Sequence, residues 1–347
     1  MPSASEKFLI IRLSSIGDIV HALPAVAALS ETFPRAEIDW VVERRHALLL
    51  EGNPFVHRLI PLDTLGWRKN LKSARTLQSV SSSVTALRES HYDAAIDFQG
   101  LYKSAVIAWL SRAKERVGFN ERWLREPAAA VLYTSSVSPR EQTHVVELNL
   151  ALVESLGVPR LERERWKFPL PVSAADDEYV ANQLMERAVE EFIIVNPGGG
   201  WKSKCWSPED YAAIIRQLAG EFHFLLTGSP DEEGLCISIA EKSGTARAGY
   251  FPSTIPQFIA LARRAKLLVG GDTGPMQLAA AAATPVVAIF GPTDPARNGP
   301  FATADITLWN RGPIDYTRRS KNAGWISGIS VESVVTAIRT RLARTHG

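Results

Sequence analysis

The sequence predicts an α/β protein with two doubly wound domains that face each other across a cleft. Short apolar runs, of the kind that form strands buried on both faces, alternate with helical patterns in both halves of the chain. Most of these runs end in a loop that carries glycine and polar residues. The length of 347 residues also favours two domains, since a single core usually stops growing at about 250–300 residues.

In the first half of the chain, each predicted element follows from a local pattern. Apolar runs predict strands at residues 8–13, 38–42, 59–60 and 94–98. Periodicity predicts helices at residues 19–29, 84–89 and 144–156, and an apolar helix that ends at residue 110. Pro24 is irregular within the first helix and could mark its true start. Prolines among the charged residues of 158–175 then indicate a linker.

The second half repeats this alternation. Strands are predicted at residues 192–195, 222–226, 267–269 and 286–290, and helices at 174–189, 211–218, 255–262 and 331–342. Another helix begins at Thr273 or Gly274, with Pro275 in its first turn, where a missing N–H costs nothing. We therefore assign residues 1–165 to an N-terminal domain, 166–330 to a C-terminal domain and 331–347 to a final helix.

The loops of the second half carry a candidate anion site. Residues 270–274 open a helix whose free N–H groups and positive dipole end suit a phosphate. Lys204, Glu232 and Asp272 follow three strands, and could together hold a nucleotide sugar, with Lys204 on phosphate and Glu232 on ribose. The alternative is an ordinary strand–helix–strand unit whose glycines only make tight turns. Asp272 and Thr273 favour the functional interpretation, because a structural turn does not require them.

Polar residues also follow two strands of the first half. They are Ser14, Ser15 and Asp18, with Gly17 between them in the same loop, after the first strand, and Gln99 and Lys103 after the strand at 94–98. Asp18 has two interpretations. It could cap the helix that follows, or it could act as a general base in a partly buried loop.

Basic residues gather beside Trp67, in a stretch where the apolar pattern fades. They are Arg68, Lys69, Lys72 and Arg75. Such a run is either a solvated face or a loop that grips a phosphorylated or carboxylated substrate. The net charge of +2 is too small to imply nucleic-acid binding, so an anionic partner must be held by local clusters.

Composition and missing motifs exclude several classes. Apolar residues make up 46% of the chain and charged residues 22%, which predicts a folded rather than a disordered protein. Two cysteines without metal-type spacing argue against structural zinc, and the absence of a signal-like or membrane-spanning run predicts a cytoplasmic protein. The chain lacks GxGxxG, GxxxxGK[ST] and GxSxG, which argues against a dehydrogenase, a P-loop NTPase and a serine hydrolase.

Four motifs together resemble glycosyltransferase family 9. They are RLSSIGDIVHALP at 12–24, DFQGLYKS at 97–104, GDTGPMQLAAA at 271–281 and FGPTDP at 290–295. The resemblance covers nearly the whole chain in the family's order. It implies a GT-B fold of two Rossmann-like domains and an inverting, metal-independent transfer without a cofactor. It also implies ADP-L-glycero-β-D-manno-heptose as donor and Kdo-lipid A as acceptor, at the cytoplasmic face of the inner membrane, where the protein is peripheral.

The resemblance also implies a role for particular residues in each domain. The N-terminal domain binds the acceptor with Asp18 as catalytic base, through Ser14, Ser15, Gly17, Arg68, Lys69, Lys72, Gln99 and Lys103. The C-terminal domain binds the donor through Lys204, which is also expected to be catalytic because it neutralises the pyrophosphate, and through Glu232, Asp272, Thr273 and Gly274. Gln277 stands where many members have His, and is expected to face the donor with a neutral hydrogen bond. The last helix is expected to cross back to the first domain.

Two further classes share a two-lobed α/β plan. A GT-B epimerase of the UDP-N-acetylglucosamine type would bind UDP and need no acceptor, and a periplasmic-type binding protein would carry a signal sequence. Within the family, transfer of a different heptose or to a different core position is the nearest alternative.

Overall fold

The computed structural model describes residues 6–70, 73–139, 144–312, 314–315 and 324–344. The chain divides into two compact units, with the boundary between Pro171 and Val172. Residues 166–171, expected in the second domain, thus belong to the first unit. The Trp166 ring packs at 5.6 Å from that of His144, and the Asn53 amide donates to the Pro169 carbonyl oxygen at 2.8 Å.

The first unit contains a parallel sheet of six strands. They are β1 Lys7–Ile11, β2 Glu37–Glu43, β3 Arg58–Leu62, β4 Ala94–Asp97, β5 Glu115–Phe119 and β6 Ser135–Val137. Their order across the sheet is β3-β2-β1-β4-β5-β6. The central strand is completely buried at Leu9, Ile10 and Ile11, as the apolar run predicts. The strands β5 and β6 were not predicted, because their sequences are short and partly polar.

The α-helices of the first unit are α1 Ile16–Thr32, α2 Thr64–Lys69, α3 Ala74–Glu89, α4 Tyr102–Leu110 and α5 Val145–Glu154. Two of them differ from the prediction. Helix α1 begins at Ile16, so Pro24 lies inside it and does not mark its start. Helix α3 extends through residues 74–83, where the apolar pattern fades, because only Leu87 among its residues is buried and a mostly exposed helix needs no apolar stripe.

The second unit contains another parallel sheet of six strands. They are β7 Phe192–Asn196, β8 His223–Leu226, β9 Ala248–Tyr250, β10 Leu267–Gly271, β11 Val286–Phe290 and β12 Ile306–Trp309. The helices are α6 Ala174–Glu186, α7 Pro208–Leu218, α8 Glu233–Ser243, α9 Ile255–Arg264, α10 Gly274–Ala281, α11 Pro295–Asn298, α12 Gly324–Ser327 and α13 Val331–Ala343. The order across the sheet is β12-β11-β10-β7-β8-β9.

The last helix, α13, packs within the second unit. Val334 and Ile338 are completely buried in its core, and Arg341 forms an ion pair of 2.7 Å with the buried Asp305. The expected crossing of this helix to the first domain stays a prediction. Helix α13 packs against α7 and against the strands β10 to β12.

Both sheets have the strand order 3-2-1-4-5-6 of the doubly wound fold, counted from the first strand of each unit. In this order the chain reverses direction across the sheet between the first and fourth strands. Ligands of such sheets bind at this switch point, beyond the carboxyl ends of the strands. The switch points lie between β1 and β4 in the first unit, and between β7 and β10 in the second.

Candidate active site

The first switch point holds Asp18 in an ion pair with Arg12. Arg12 is the residue after β1, and its Nη2 lies 2.5 Å from Asp18 Oδ1, while Nη1 donates to the Phe98 carbonyl oxygen after β4. Asp18 Oδ2 accepts from the backbone N–H and the hydroxyl of Ser15, at 2.9 and 2.8 Å. The structure therefore confirms the helix-capping interpretation, and the general-base role stays a prediction. Asp18 caps α1, and its carboxylate remains 39% exposed.

The environment of Asp18 keeps its carboxylate ionised. Burial acts to raise the pKa, but the Arg12 guanidinium and the Ser15 hydrogen bonds outweigh that effect, so the pKa of Asp18 lies below its usual value. A low pKa makes a weak base in the ground state. Such a base still accepts a proton in a late transition state, in which the attacking hydroxyl has become acidic.

Gln99 ties the loops after β1 and β4 together. Its Oε1 accepts from the backbone N–H of Leu13 at 2.9 Å and of Ser14 at 3.3 Å. The loop after β4 is in turn fixed by the fully buried Asp97, which accepts from the N–H of Gln99 at 2.9 Å and from the Tyr133 hydroxyl at 2.7 Å. Burial raises the pKa of Asp97. Asp97 and Gln99 thus position the candidate base by shaping the loop beside it.

The basic residues predicted for the acceptor are exposed. Arg68 and Lys69 lie in the last turn of α2, and Lys103 lies in the first turn of α4, after β4. Trp67, beside them, packs on the core of the first unit and donates to Ser79 Oγ at 3.3 Å. Lys72 lies outside the described residues. The sequence prediction for these cations therefore stays a prediction.

The second switch point holds Lys204 and Asp272 together. Lys204 Nζ lies 2.5 Å from Asp272 Oδ2 and 4.5 Å from the centre of the Trp201 ring. The Thr293 hydroxyl donates to the same Asp272 oxygen at 2.8 Å. The Lys and Asp side chains are 13% and 9% exposed. Three loops, those after β7, β10 and β11, thus meet at one charged cluster.

Thr273 fixes the start of helix α10 beside this cluster. It is the N-cap residue, and its hydroxyl donates to Asn196 Oδ1 at 3.0 Å and accepts from the Met276 N–H. Asn196, the last residue of β7, donates to the Thr227 carbonyl oxygen after β8 at 2.8 Å. Gly274 is the first residue of the helix. The amino end of α10 therefore opens at the switch point, where its dipole favours an anion.

Glu232 lies against the glycine loop that follows β7. A side chain at Gly198 would place its Cβ 2.0 Å from Glu232 Oε1, so the carboxylate occupies space that only glycine leaves free. Glu232 Oε2 accepts from the backbone N–H and the hydroxyl of Ser229, both at 2.8 Å. The structure thus brings Glu232 to the same group of loops as Lys204 and Asp272, as the sequence predicted.

Gln277 is placed differently from its expected position. Its side chain is 2% exposed, and its amide nitrogen donates to the Asn298 carbonyl oxygen at 2.6 Å. The amide N–H group that was expected to form a hydrogen bond with a ligand thus forms one within the protein. Gln277 links α10 to the end of α11, which sequence reasoning could not foresee because the partner is a backbone carbonyl from a distant turn.

Sequence reasoning missed several groups that complete the two switch points. They are Arg12, Asn196, Trp201 and Thr293. Arg12 was visible as a charge within an apolar run, and Thr293 lies inside the FGPTDP motif. An arginine that is 8% exposed requires a partner, and that rule points to a nearby carboxylate.

Comparison with known proteins identifies the family. The family model of glycosyltransferase family 9 (heptosyltransferase) matches residues 80–324. The chain belongs to glycosyltransferase family 9. Among its family 9 relatives is lipopolysaccharide heptosyltransferase 1 of Pseudomonas aeruginosa, 30% identical over 88% of this chain and 84% of that protein. Lipopolysaccharide heptosyltransferase 3 of Escherichia coli is 26% identical over 93% of this chain and 95% of that protein.

A solved structure confirms the fold class. The structure of E. coli heptosyltransferase WaaC with ADP matches with a TM-score of 0.80 and 28% identity, over 96% of this chain and 99% of that one. The predicted GT-B fold of two doubly wound domains is therefore confirmed. As a family 9 member, the protein is a glycosyltransferase. Among the described residues, no helix is long and apolar enough to cross a membrane.

Proposed function

We propose that this family 9 enzyme transfers L-glycero-D-manno-heptose from ADP-heptose to the Kdo residue of Kdo-lipid A, in the synthesis of the lipopolysaccharide inner core. The observation that carries the proposal is the charged cluster at the second switch point. Lys204 and the amino end of α10 meet there beside Asp272, and these two groups supply the positive charge that a nucleotide diphosphate requires. Similarity to heptosyltransferase 1 and to WaaC with ADP supports this donor.

On the donor side, the enzyme stabilises the leaving diphosphate. Lys204 and the amino end of α10 supply positive charge, which gains in value as the bond to the sugar breaks and charge grows on the diphosphate. Glu232 accepts hydrogen bonds from the ribose hydroxyls, and Asp272 accepts them from the heptose while it orients Lys204. Thr273 and Gly274 offer backbone N–H groups to the phosphates. These groups replace the divalent metal that other glycosyltransferases use.

On the acceptor side, Asp18 is the general base. The acceptor hydroxyl oxygen attacks the anomeric carbon from the side opposite the diphosphate. The bond from that carbon to the diphosphate oxygen breaks, the hydroxyl proton passes to Asp18, and ADP leaves. The product has inverted configuration. Arg12 and Ser15 hold the carboxylate in place, which removes the entropic cost of orienting it during the reaction.

The acceptor is anionic, and exposed cations of the first unit would attract it. Arg68, Lys69 and Lys103 are the described members of this set, and Lys72 completes it in the sequence. Because the acceptor is a lipid, we place the enzyme at the cytoplasmic face of the inner membrane as a peripheral protein. Ser14, Ser15, Gly17 and Gln99 shape the loops that the acceptor sugar approaches.

The deciding experiment is product analysis. The purified protein is incubated with ADP-heptose and Kdo-lipid A, with and without EDTA, and the product is identified by mass spectrometry and by the configuration of the new bond. One added α-linked heptose on Kdo, formed equally in EDTA, supports the proposal. Activity only on an acceptor that already carries heptose would assign a later core position, as the similarity to heptosyltransferase 3 allows. Turnover of a UDP-sugar without acceptor would favour an epimerase.

A further inference from the structure

The first unit has a surface hollow at the amino ends of its strands, on the side of the sheet away from the switch point. It has a volume of about 300 Å³ and is lined by Arg88, Trp109, Arg112 and Arg116. We call these four residues the arginine hollow. They lie at the ends of α3 and α4 and at the start of β5, which places them near the amino ends of β4 and β5. The candidate active site lies at the carboxyl ends, so the arginine hollow is separate from it.

The arginine hollow carries positive charge from three guanidinium groups. In the described parts of the chain, none of the three guanidinium groups forms an ion pair with a carboxylate. Backbone carbonyl oxygens hold two of them. Arg88 Nε donates to Leu110 at 3.3 Å, and Arg116 donates to Leu132 at 2.8 Å. Each guanidinium has five N–H donors, so most of them remain available to an anion.

Arg112 occupies a backbone position that disfavours it. It is the second residue after α4 and has a φ of +55°, in the left-handed region where glycine is the usual residue. The backbone conformation alone would therefore favour glycine over arginine at this position. Trp109 adds an aromatic wall that is 53% exposed, which can stack against a planar or sugar ring.

We propose that the arginine hollow binds a small soluble compound that carries a phosphate group next to a ring. Several guanidinium groups without acidic partners match the charge and the fork geometry of phosphate. The volume lies at the lower end of small-molecule sites. A lipid headgroup has the same phosphate chemistry. However, a membrane that contacts the amino ends of the strands would lie a full strand length away from Asp18, which is beyond their carboxyl ends. A soluble ligand does not have to lie close to Asp18.

The test uses phenyl phosphate as the probe, titrated by calorimetry into the full-length protein. Arg112→Gly removes one guanidinium and also relieves the left-handed backbone, so it should keep or raise the melting temperature while it weakens binding about tenfold or more. Arg112→Lys keeps the charge and should lose less affinity. Ala188→Gly, which relieves the same kind of backbone (φ +51°) in the second unit, should bind as the native protein does. Lys204→Ala, at the proposed donor site, should also leave this binding unchanged.

Three results would overturn the proposal. The first is that phenyl phosphate does not bind the native protein. The second is that Arg112→Gly binds it normally or that Lys204→Ala abolishes it, because the probe would then occupy another site. The third comes from flotation with vesicles of phosphatidylglycerol. If Arg112→Gly loses vesicle binding while phenyl phosphate binds neither protein, the hollow holds a lipid headgroup instead of a soluble ligand.

Discussion

Lys204 Nζ and Asp272 Oδ2 are 2.5 Å apart at the carboxyl ends of the adjacent strands β7 and β10. The pair is largely buried, and Trp201 and Thr293 contact it from two other positions. Lys204 is thus held in one place before any ligand arrives. Asp272 offsets its charge, which lowers the cost of keeping a cation in a site with little water.

Replacement of Lys204 tests its role on the donor. Lys204→Ala should raise the donor KM and lower kcat together, with a loss of ~10–150-fold in kcat/KM, the value of a hydrogen bond to a charged group. The reason is that charge on the leaving diphosphate grows in the transition state. Lys266→Ala removes a lysine that pairs with Glu191 at an exposed position, and serves as the control. If only the kinetic constants for the acceptor changed, Lys204 would not act on the donor.

Replacement of Asp18 tests the general base. Asp18→Asn should reduce turnover by ~10²–10⁴, the typical contribution of a positioned base, and leave ADP affinity unchanged. The variant also leaves the buried Arg12 without its carboxylate, so its stability should fall. The double variant Arg12→Met/Asp18→Asn removes that buried charge and is the control. It should recover stability but not activity, and normal turnover in either variant would exclude Asp18 as the base.

A substitution at Gly198 tests whether Glu232 lies at the donor site. Gly198→Ala places a methyl group 2.0 Å from the Glu232 carboxylate, which must move, and ADP affinity should fall about tenfold, as for Glu232→Gln. The fold should tolerate the change because the displaced atoms are the end of a flexible side chain. Gly200→Ala is the matched control, since its added Cβ meets nothing within 4 Å. Equal ADP affinity in Gly198→Ala and Gly200→Ala would separate Glu232 from the donor site.

The burial of His46 predicts that the protein loses stability in acid. It follows β2, is 8% exposed, and neither ring nitrogen has a partner among the described residues. Burial and then the nearby Arg45 lower the pKa of His46 to about 4, from about 6.5 in the unfolded chain. The unfolded state therefore binds a proton first, so stability is full above pH ~6.5 and falls as the pH drops towards 4. The loss amounts to ~3 kcal/mol.

Urea unfolding of the native protein and of His46→Leu, between pH 4 and pH 7.5, measures this effect. The variant keeps an apolar side chain in the buried position, and its stability should vary less with pH in this range. Parallel pH curves for the two proteins would show that His46 is not buried as a neutral ring.

Local sequence patterns determined the class of fold and most of its central strands. The runs at β1, β4, β7, β10 and β11 are apolar because both faces of these strands are covered, and this signal needs no knowledge of their neighbours. The edge strands β6, β9 and β12 are partly exposed and short. Their residues form strands only because a neighbouring strand supplies hydrogen-bond partners, so the sequence alone did not predict them.

The same division holds for the candidate site. Motifs at the ends of apolar runs identified Asp18, Lys204, Glu232 and Asp272, because a parallel sheet places the carboxyl ends of its strands at one edge. Only the tertiary structure paired Asp18 with Arg12 and turned Gln277 towards the Asn298 carbonyl oxygen. The direction and the partner of a side chain depend on backbone atoms that are far away in sequence. That information exists only once the chain has packed.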